Sequence, residues 1–569
     1  MMRPRWKRFS SGALSATFLL TLVSLAHGQG TVPPLKQVNA DLSPTGTNLP
    51  SAKPAPILAA PRSPNLSNED LQARLERQEK LIQQLQDSLL KMQQQQTAAP
   101  AVTTSAPPNS ATPLTNLVQG YGPGMADPNP GVMSSIIEGL RIDEGPKVGI
   151  TDGLNVTSAD KLFSMKINAL LQLDYRDFAH TAASFHNANS LADGFSLPRI
   201  RVFFRGSCSE FADYAVSFTS GISPNGPGNT PAPVNLLDAY LDINVLGAAN
   251  KEYLQVRVGR FKTPFLYQFY KIAPQDYVLP ELSMYSTNFL QNWQEGAMAH
   301  GELFDKRFEY AAGIFNGIPN GFEVPQNDRE GIAMGIFRPF LLEEDSLLKR
   351  LTIAGSYAVG YQFGQALPSA LGTATGSNGP PDNFFLTPIF LSFKADAIQA
   401  GFHELWNIDT IYSYKSLNFY GEVSGGTQTY ANKTTPGKQV PVSLSGYSAA
   451  LTYFFTGEEI AETRARVKPL RPYAWGTGNW GALEGFARFS NLWLGSNVLN
   501  NNLLTAGANA NMVNATELGF HWYPNEFVRV SFDWQHSMFN QPISLDPGIA
   551  GARTTTLQDL FWLRLQLYY

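Results

Sequence analysis

The chain has 569 residues with 42 Lys and Arg against 46 Asp and Glu, a formal net charge of −4, and is 43% hydrophobic and 12% aromatic. Only 15% of the residues are charged, against roughly 25% in ordinary soluble domains, and this mildly acidic balance excludes a nucleic-acid binder. The lone cysteine, Cys208, excludes an internal disulfide.

Arg3, Arg5, Lys7 and Arg8 precede an apolar stretch from Ala13 to Ala26, and Ala26-His27-Gly28 has the small-x-small form of a cleavage site. This predicts a secretory signal over residues 1–28 and an exported protein. No cysteine opens the expected mature chain, so a lipid anchor is not expected. Beyond the signal there is no apolar run of the roughly 18 residues that a spanning helix requires.

Residues 29–66 are rich in Pro, Ala, Ser and Thr and read as a disordered spacer, because such a composition buries too little apolar surface to offset the entropy of ordering. Ser67, followed by Glu69 and Asp70, is a helix start, with a capping hydroxyl and acids in the first turn. A helix over 67–96 places Leu71, Leu75, Ile82, Leu85, Leu89 and Met92 on a heptad seam that Gln78 interrupts once. The seam predicts a short coiled coil between subunits on the periplasmic side; the alternative is an amphipathic helix packed on its own chain. Residues 97–150, again rich in Ala, Pro and Thr at their start, form a flexible linker.

Residues 151–569 carry a different pattern. From Phe163 to Tyr175, every second residue is Phe163, Met165, Ile167, Ala169, Leu171, Leu173 and Tyr175, while Ser164, Lys166, Asn168, Leu170, Gln172 and Asp174 lie between. Successive strand side chains point to opposite faces, so this segment has one apolar and one polar face, breached only at Leu170. The same alternation runs through Val528–Gln535 and through Phe561, Leu563, Leu565, Leu567 and Tyr569 to the last residue. With low charge and aromatic strand ends, it predicts an all-β transmembrane antiparallel barrel. About 410 residues at roughly 25 per strand, loops included, give about 16 strands, with 14 and 18 as the neighbouring even counts.

The strands also carry a family resemblance. Leu197-Pro198-Arg199-Ile200-Arg201-Val202-Phe203-Phe204-Arg205-Gly206, Val258-Gly259-Arg260-Phe261-Lys262-Thr263-Pro264-Phe265, Gly313-Ile314-Phe315-Asn316-Gly317, Tyr453-Phe454-Phe455-Thr456-Gly457-Glu458, Leu518-Gly519-Phe520-His521-Trp522-Tyr523 and Leu563-Arg564-Leu565-Gln566 follow one another in order. In this order they resemble the phosphate-selective porins of the O and P family. The resemblance implies a sixteen-stranded trimeric barrel in the outer membrane, embedded in its lipid, with an anion-conducting channel and a short coiled coil ahead of it. Two positions depart from the family pattern: Gln294-Glu295-Gly296 stands where a basic-acidic pair often precedes glycine, and Ala169 replaces a common glycine. Channel function therefore carries over, with phosphate as one candidate solute among small hydrophilic solutes and anions.

In such a barrel the residues opposite the apolar face line the lumen. Arg199, Arg201 and Arg205 share one face of a strand and form a ladder along which an anion could pass through charge-assisted hydrogen bonds. The alternative is that they pair with Asp238, Asp242 or Glu210 and hold the wall. Arg257, Glu422, Glu484, Arg488, Arg529 and Arg564 are further lining candidates, as are Lys166, Asp174, Arg176, Glu517 and Asp533, and their mixed signs imply a transverse field. The Pro-broken, aromatic stretch from Pro264 to Trp293, containing Lys271, Asp276 and Glu281 and preceded by Lys262, is a candidate constriction loop. A strand–turn–strand pair is the other reading of it. No Gly-x-Ser-x-Gly, His-Glu-x-x-His or phosphate-cradling glycine loop is present, so no catalytic residue, cofactor or metal is expected. A structural barrel that tethers the membrane to the cell wall through its coiled coil is the competing function.

Overall fold

A computed structural model describes residues 147–150, 153–179, 193–222, 234–320, 329–374, 387–460, 466–507, 509–545 and 553–569. The expected signal, spacer, coiled-coil helix and nearly all of the linker lie outside the described residues.

Among the described residues twenty strands follow in chain order: β1 Lys147–Ile150, β2 Leu154–Thr157, β3 Phe163–Phe178, β4 Gly194–Cys208, β5 Ala212–Ile222, β6 Asn235–Ile243, β7 Gln255–Lys262, β8 Trp293–Leu303, β9 Phe308–Phe315 and β10 Glu330–Phe337. The second half holds β11 Leu351–Gln365, β12 Ala370–Gly372, β13 Ile389–Ser392, β14 Ala397–Tyr414, β15 Leu417–Asn432, β16 Thr435–Phe454, β17 Ala482–Leu494, β18 Met512–Tyr523, β19 Val528–Ser544 and β20 Thr554–Tyr568. Eighteen of them share one sheet, and β12 pairs with β13 in a separate two-stranded piece. Within the large sheet, β1 and β2 form a short hairpin against the start of β3. The other sixteen form a closed antiparallel ring, each paired with its chain neighbours and β20 paired back onto β3.

The last residue completes the closure. Ala169 N–H donates to Tyr569 O at 2.9 Å, and Tyr569 N–H donates to Ala169 O at 3.0 Å. A closed ring leaves no unpaired strand edge, which is the condition for a sheet to sit in a medium that cannot hydrogen-bond to it.

The sequence alternation becomes a difference between outside and inside. On β20, Phe561, Leu563, Leu565 and Leu567 are 41–47% exposed, while Gln558, Arg564 and Gln566 are at most 4% exposed. Leu171, Val423, Ile408, Leu451, Leu518 and Phe520 continue this exposed apolar belt around the wall. A water-soluble protein does the reverse; an apolar exterior of this extent requires lipid around it. Leu170, the one break in the polar face between Phe163 and Tyr175, points inward and is 1% exposed, and Phe178 at the end of β3 is likewise buried, at 2%.

The connection between β7 and β8 positions the functional residues. It is not a strand pair: it contains helix α1 Tyr267–Lys271, a 3-10 turn Pro274–Asp276 and helix α2 Met284–Phe289. Ser283 caps α2, its Oγ accepting from Ser286 N–H at 3.2 Å. The loop folds inward, and Gly446 on β16 makes room for it, since a Cβ there would stand 2.9 Å from the Tyr285 ring.

Candidate functional site: the lumenal loop and its charged walls

The inward faces of β3, β4, β19 and β20 are basic. Arg564 Nε and Nη2 hold Asp174 at 2.7 and 2.8 Å, a forked grip across the strand register where Arg564 faces Asp174. Arg176 lies 3.6 Å from Asp174 and stacks its guanidinium 3.7 Å over the Trp562 ring. Arg199 Nη1 donates to Gln172 Oε1 at 3.0 Å, and its Nη2 donates to Glu281 Oε2 at 3.0 Å. Glu281, on the loop just ahead of α2, also lies 3.5 Å from Arg564 Nη1. Burial alone would push the Glu281 carboxyl up, but the Arg199 and Arg564 guanidiniums outweigh it and hold the group below the usual carboxylate range.

The wall also grips the loop's backbone carbonyls. Arg564 Nη1 donates to Pro280 O at 2.6 Å, Arg488 Nη1 to Glu281 O at 2.9 Å, and Arg529 Nη1 to Tyr277 O at 3.2 Å. His521 Nε2 lies 3.1 Å from Val278 O, which can only accept, so this nitrogen carries the proton. Gln566 Nε2 donates to Gln275 O at 3.0 Å. Arg488 is meanwhile neutralised by a forked pair with Glu517 at 2.5 and 2.6 Å.

Nearly half a ring away, β14 and β15 present acids. Asp409 and Glu422 are direct cross-strand neighbours. Tyr267 N–H, at the start of α1, donates to Asp409 Oδ2 at 3.0 Å, and Tyr420 Oη–H to Oδ1 at 2.7 Å. Ser283 and Ser286 hydroxyls donate to the two Glu422 oxygens at 2.8 and 2.9 Å. One side of the loop is thus held by guanidiniums, and its helix starts are held by carboxylates.

The remaining lining candidates fall elsewhere. Arg201 is buried with its guanidinium 5.3 Å from the Trp293 ring centre, whereas Arg205 is exposed and lies 5.0 Å over Phe203. Asp242 is gripped by Arg257 at 2.8 and 2.6 Å and by His300 at 2.9 Å, and Asp238 accepts from Ser217 and from Trp293 Nε1. Glu484 accepts from Tyr523 Oη at 2.9 Å. Lys262, the last residue of β7, donates to the loop carbonyl Phe269 O at 2.9 Å; within the loop Lys271 pairs with Glu309 at 2.5 Å, and Asp276 is half-buried in a small cleft with Arg466 and Tyr568. Glu309 also pairs with Arg338 at 3.1 Å.

Neither sequence reading of the arginine strand contains the carboxylate partner that Arg199 has. Glu281 is 82 positions away, and no spacing rule links a loop acid to a wall cation on another strand. Asp409, Ser283 and Ser286 were also absent from the sequence-based lining set; Asp409 follows the inward parity of β14, but its alternation gives no sign of the loop that meets it.

These features define a class: a closed sixteen-stranded antiparallel barrel with an apolar exterior and a polar lumen crossed by an inward-folded loop. No family model matches the sequence, and no curated protein matches it. Among solved structures the chain is similar to the outer-membrane protein OmpT of Vibrio cholerae, at 9% identity over 74% of this chain and 100% of that one, with a TM-score of 0.41. It is also similar to the outer-membrane channel DcaP of Acinetobacter baumannii, at 9% identity over 72% and 97%, TM-score 0.42. An anion-selective porin from Comamonas acidovorans aligns at 9% identity over 72% and 100%, TM-score 0.41.

Proposed function

We propose that the protein is an outer-membrane channel through which small hydrophilic solutes diffuse passively, with a preference for anions. The observation that carries this reading is the inversion of polarity: the apolar belt faces out, and charged and amide side chains face a lumen narrowed by the β7–β8 loop. Alongside the buried apolar residues of the loop, such as Phe265, Leu279 and Tyr285, the interior keeps paired ions whose burial costs desolvation that apolar packing alone would avoid. The basic strip of Arg176, Arg199, Arg529 and Arg564 supports anion preference. The family resemblance makes phosphate a candidate solute and a homotrimer the implied assembly, and the heptad seam supports a short coiled coil between subunits on the periplasmic side.

Reconstitution of the full chain in a planar bilayer tests the reading. Discrete conductance steps in potassium chloride are expected, with a reversal potential in a salt gradient that reports anion flux. A barrel that inserts but gives no steps at any salt concentration overturns it.

A further inference from the structure

At the level of Glu281 the basic half of the lumen is already occupied, and the occupant is part of the chain. Arg176, Arg199, Arg564, Asp174 and Glu281 are each 3% exposed or less. This cluster holds three guanidiniums and two carboxylates. Asp174 belongs to the wall, where it fixes Arg564 in its rotamer by a forked pair. Glu281 comes from the loop and reaches both Arg199 and Arg564. The backbone around it supplies carbonyl oxygens that three arginines and His521 grip in turn.

The wall is therefore fitted to two things at once: a carboxylate, and a short row of carbonyl acceptors beside it. We propose that Arg199 and Arg564 form a binding site for small organic carboxylates bearing additional carbonyl oxygens, and that Glu281 is a resident competitor that such a solute displaces during passage. This deepens the channel reading above and rests on it.

The chemistry favours carboxylate over the other anions that a basic strip might pass. Planar guanidiniums match a planar carboxylate in two-point contact. The adjacent donors answer acceptors that are neutral carbonyls, which phosphate and chloride lack. A solute carboxylate that replaces that of Glu281 inherits its contacts to Arg199 and Arg564, and solute carbonyl oxygens take over those of Arg488, Arg529 and His521 as the loop backbone at 277–281 gives way, so that no guanidinium is left buried without a partner. The resident carboxylate lowers the apparent affinity by the fraction of time it fills the site. The site is then strong enough to select and weak enough to release, which conduction requires.

The test compares N-acetylglycine, phosphate and chloride as sodium salts at equal ionic strength, in single-channel recordings of the full chain. N-acetylglycine is expected to modulate the current saturably, with a half-saturating concentration at least threefold below that of phosphate. In Glu281→Gln that concentration should fall about tenfold as the competitor is removed, while Arg199→Gln should abolish saturation by N-acetylglycine. Should Glu281→Gln fail to insert, Glu281→Asp, whose carboxylate is one methylene short of Arg199, is expected to shift the half-saturation in the same direction. Equal half-saturation in wild type and the Glu281 variants, or tighter modulation by phosphate, overturns the proposal. Absence of steps in every salt would instead defeat the channel reading.

Discussion

Glu281 on the lumenal loop meets Arg199 and Arg564, which stand 82 and 283 positions away in the chain and belong to two strands separated in the ring only by β3. One loop carboxylate thereby ties the constriction to the seam where the barrel closes, and its removal has consequences for both.

Glu281→Gln leaves two buried guanidiniums short of a charge, a loss of about 3–5 kcal/mol for a broken buried pair. Its pH dependence has a definite sign. The folded-state carboxyl is held below its usual value by the arginines, so its stabilising contribution is complete above the unfolded-state value of about 4.3. That contribution is lost as pH falls through the lower folded value. Denaturation midpoints in detergent should differ between wild type and variant at pH 7 and converge only below about pH 4. A constant difference down to the acid limit would contradict the assignment.

Arg564→Met takes from Asp174 its forked partner and leaves only the more distant Arg176 beside it, and is expected to cost about 3–5 kcal/mol. Adding Asp174→Leu removes the carboxylate that then has only Arg176 at 3.6 Å, so the double variant should recover part of that loss in urea titrations of the folded barrel. Additive effects of the two substitutions would show that the pair is not coupled.

Gly446→Val tests the close approach of the loop to β16. A side chain there meets the Tyr285 ring and the Asn491 carbonyl at 2.9–3.0 Å, and the strand cannot retreat without breaking its ladder. The expected cost is about 1–3 kcal/mol of overpacking, accompanied by a changed single-channel conductance as α2 shifts. A conductance identical to that of wild type would place α2 outside the conducting path.

Deleting Tyr569 removes both backbone hydrogen bonds to Ala169 and the ring contact with Phe527, whose centroids are 6.1 Å apart. At about 0.5–1.5 kcal/mol per hydrogen bond, the folded barrel should lose roughly 1–3 kcal/mol. Refolding into lipid vesicles should slow, because the deletion removes the last register point of the closing strand. Tyr569→Phe, which keeps the backbone and the ring, should refold like wild type.

The strands were legible because their signal is local. Leu563, Leu565 and Leu567 alternate with Arg564 and Gln566 within five residues, and a period of two allows only a sheet with two unlike faces. The number of strands followed from chain length and the spacing that a membrane span imposes. The β7–β8 loop was visible only as an interruption: Pro264, Pro274 and Pro280 break the alternation, but proline punctuates a strand pair and a folded loop alike.

What the sequence determined by itself was which side chains face lipid and which face inward, since that depends only on residue parity along each strand. The partners of the inward charges were decided by the tertiary structure. Arg199 could have met Asp238, Asp242 or Glu210 by proximity in sequence, and its carboxylate partner is Glu281 because the loop turns inward and carries that group across the lumen. The physical reason is that closing a barrel brings strands from opposite ends of the chain to within a side chain's reach. Electrostatic pairing then follows distance in space, and the alternation of residues along a strand contains no record of that distance.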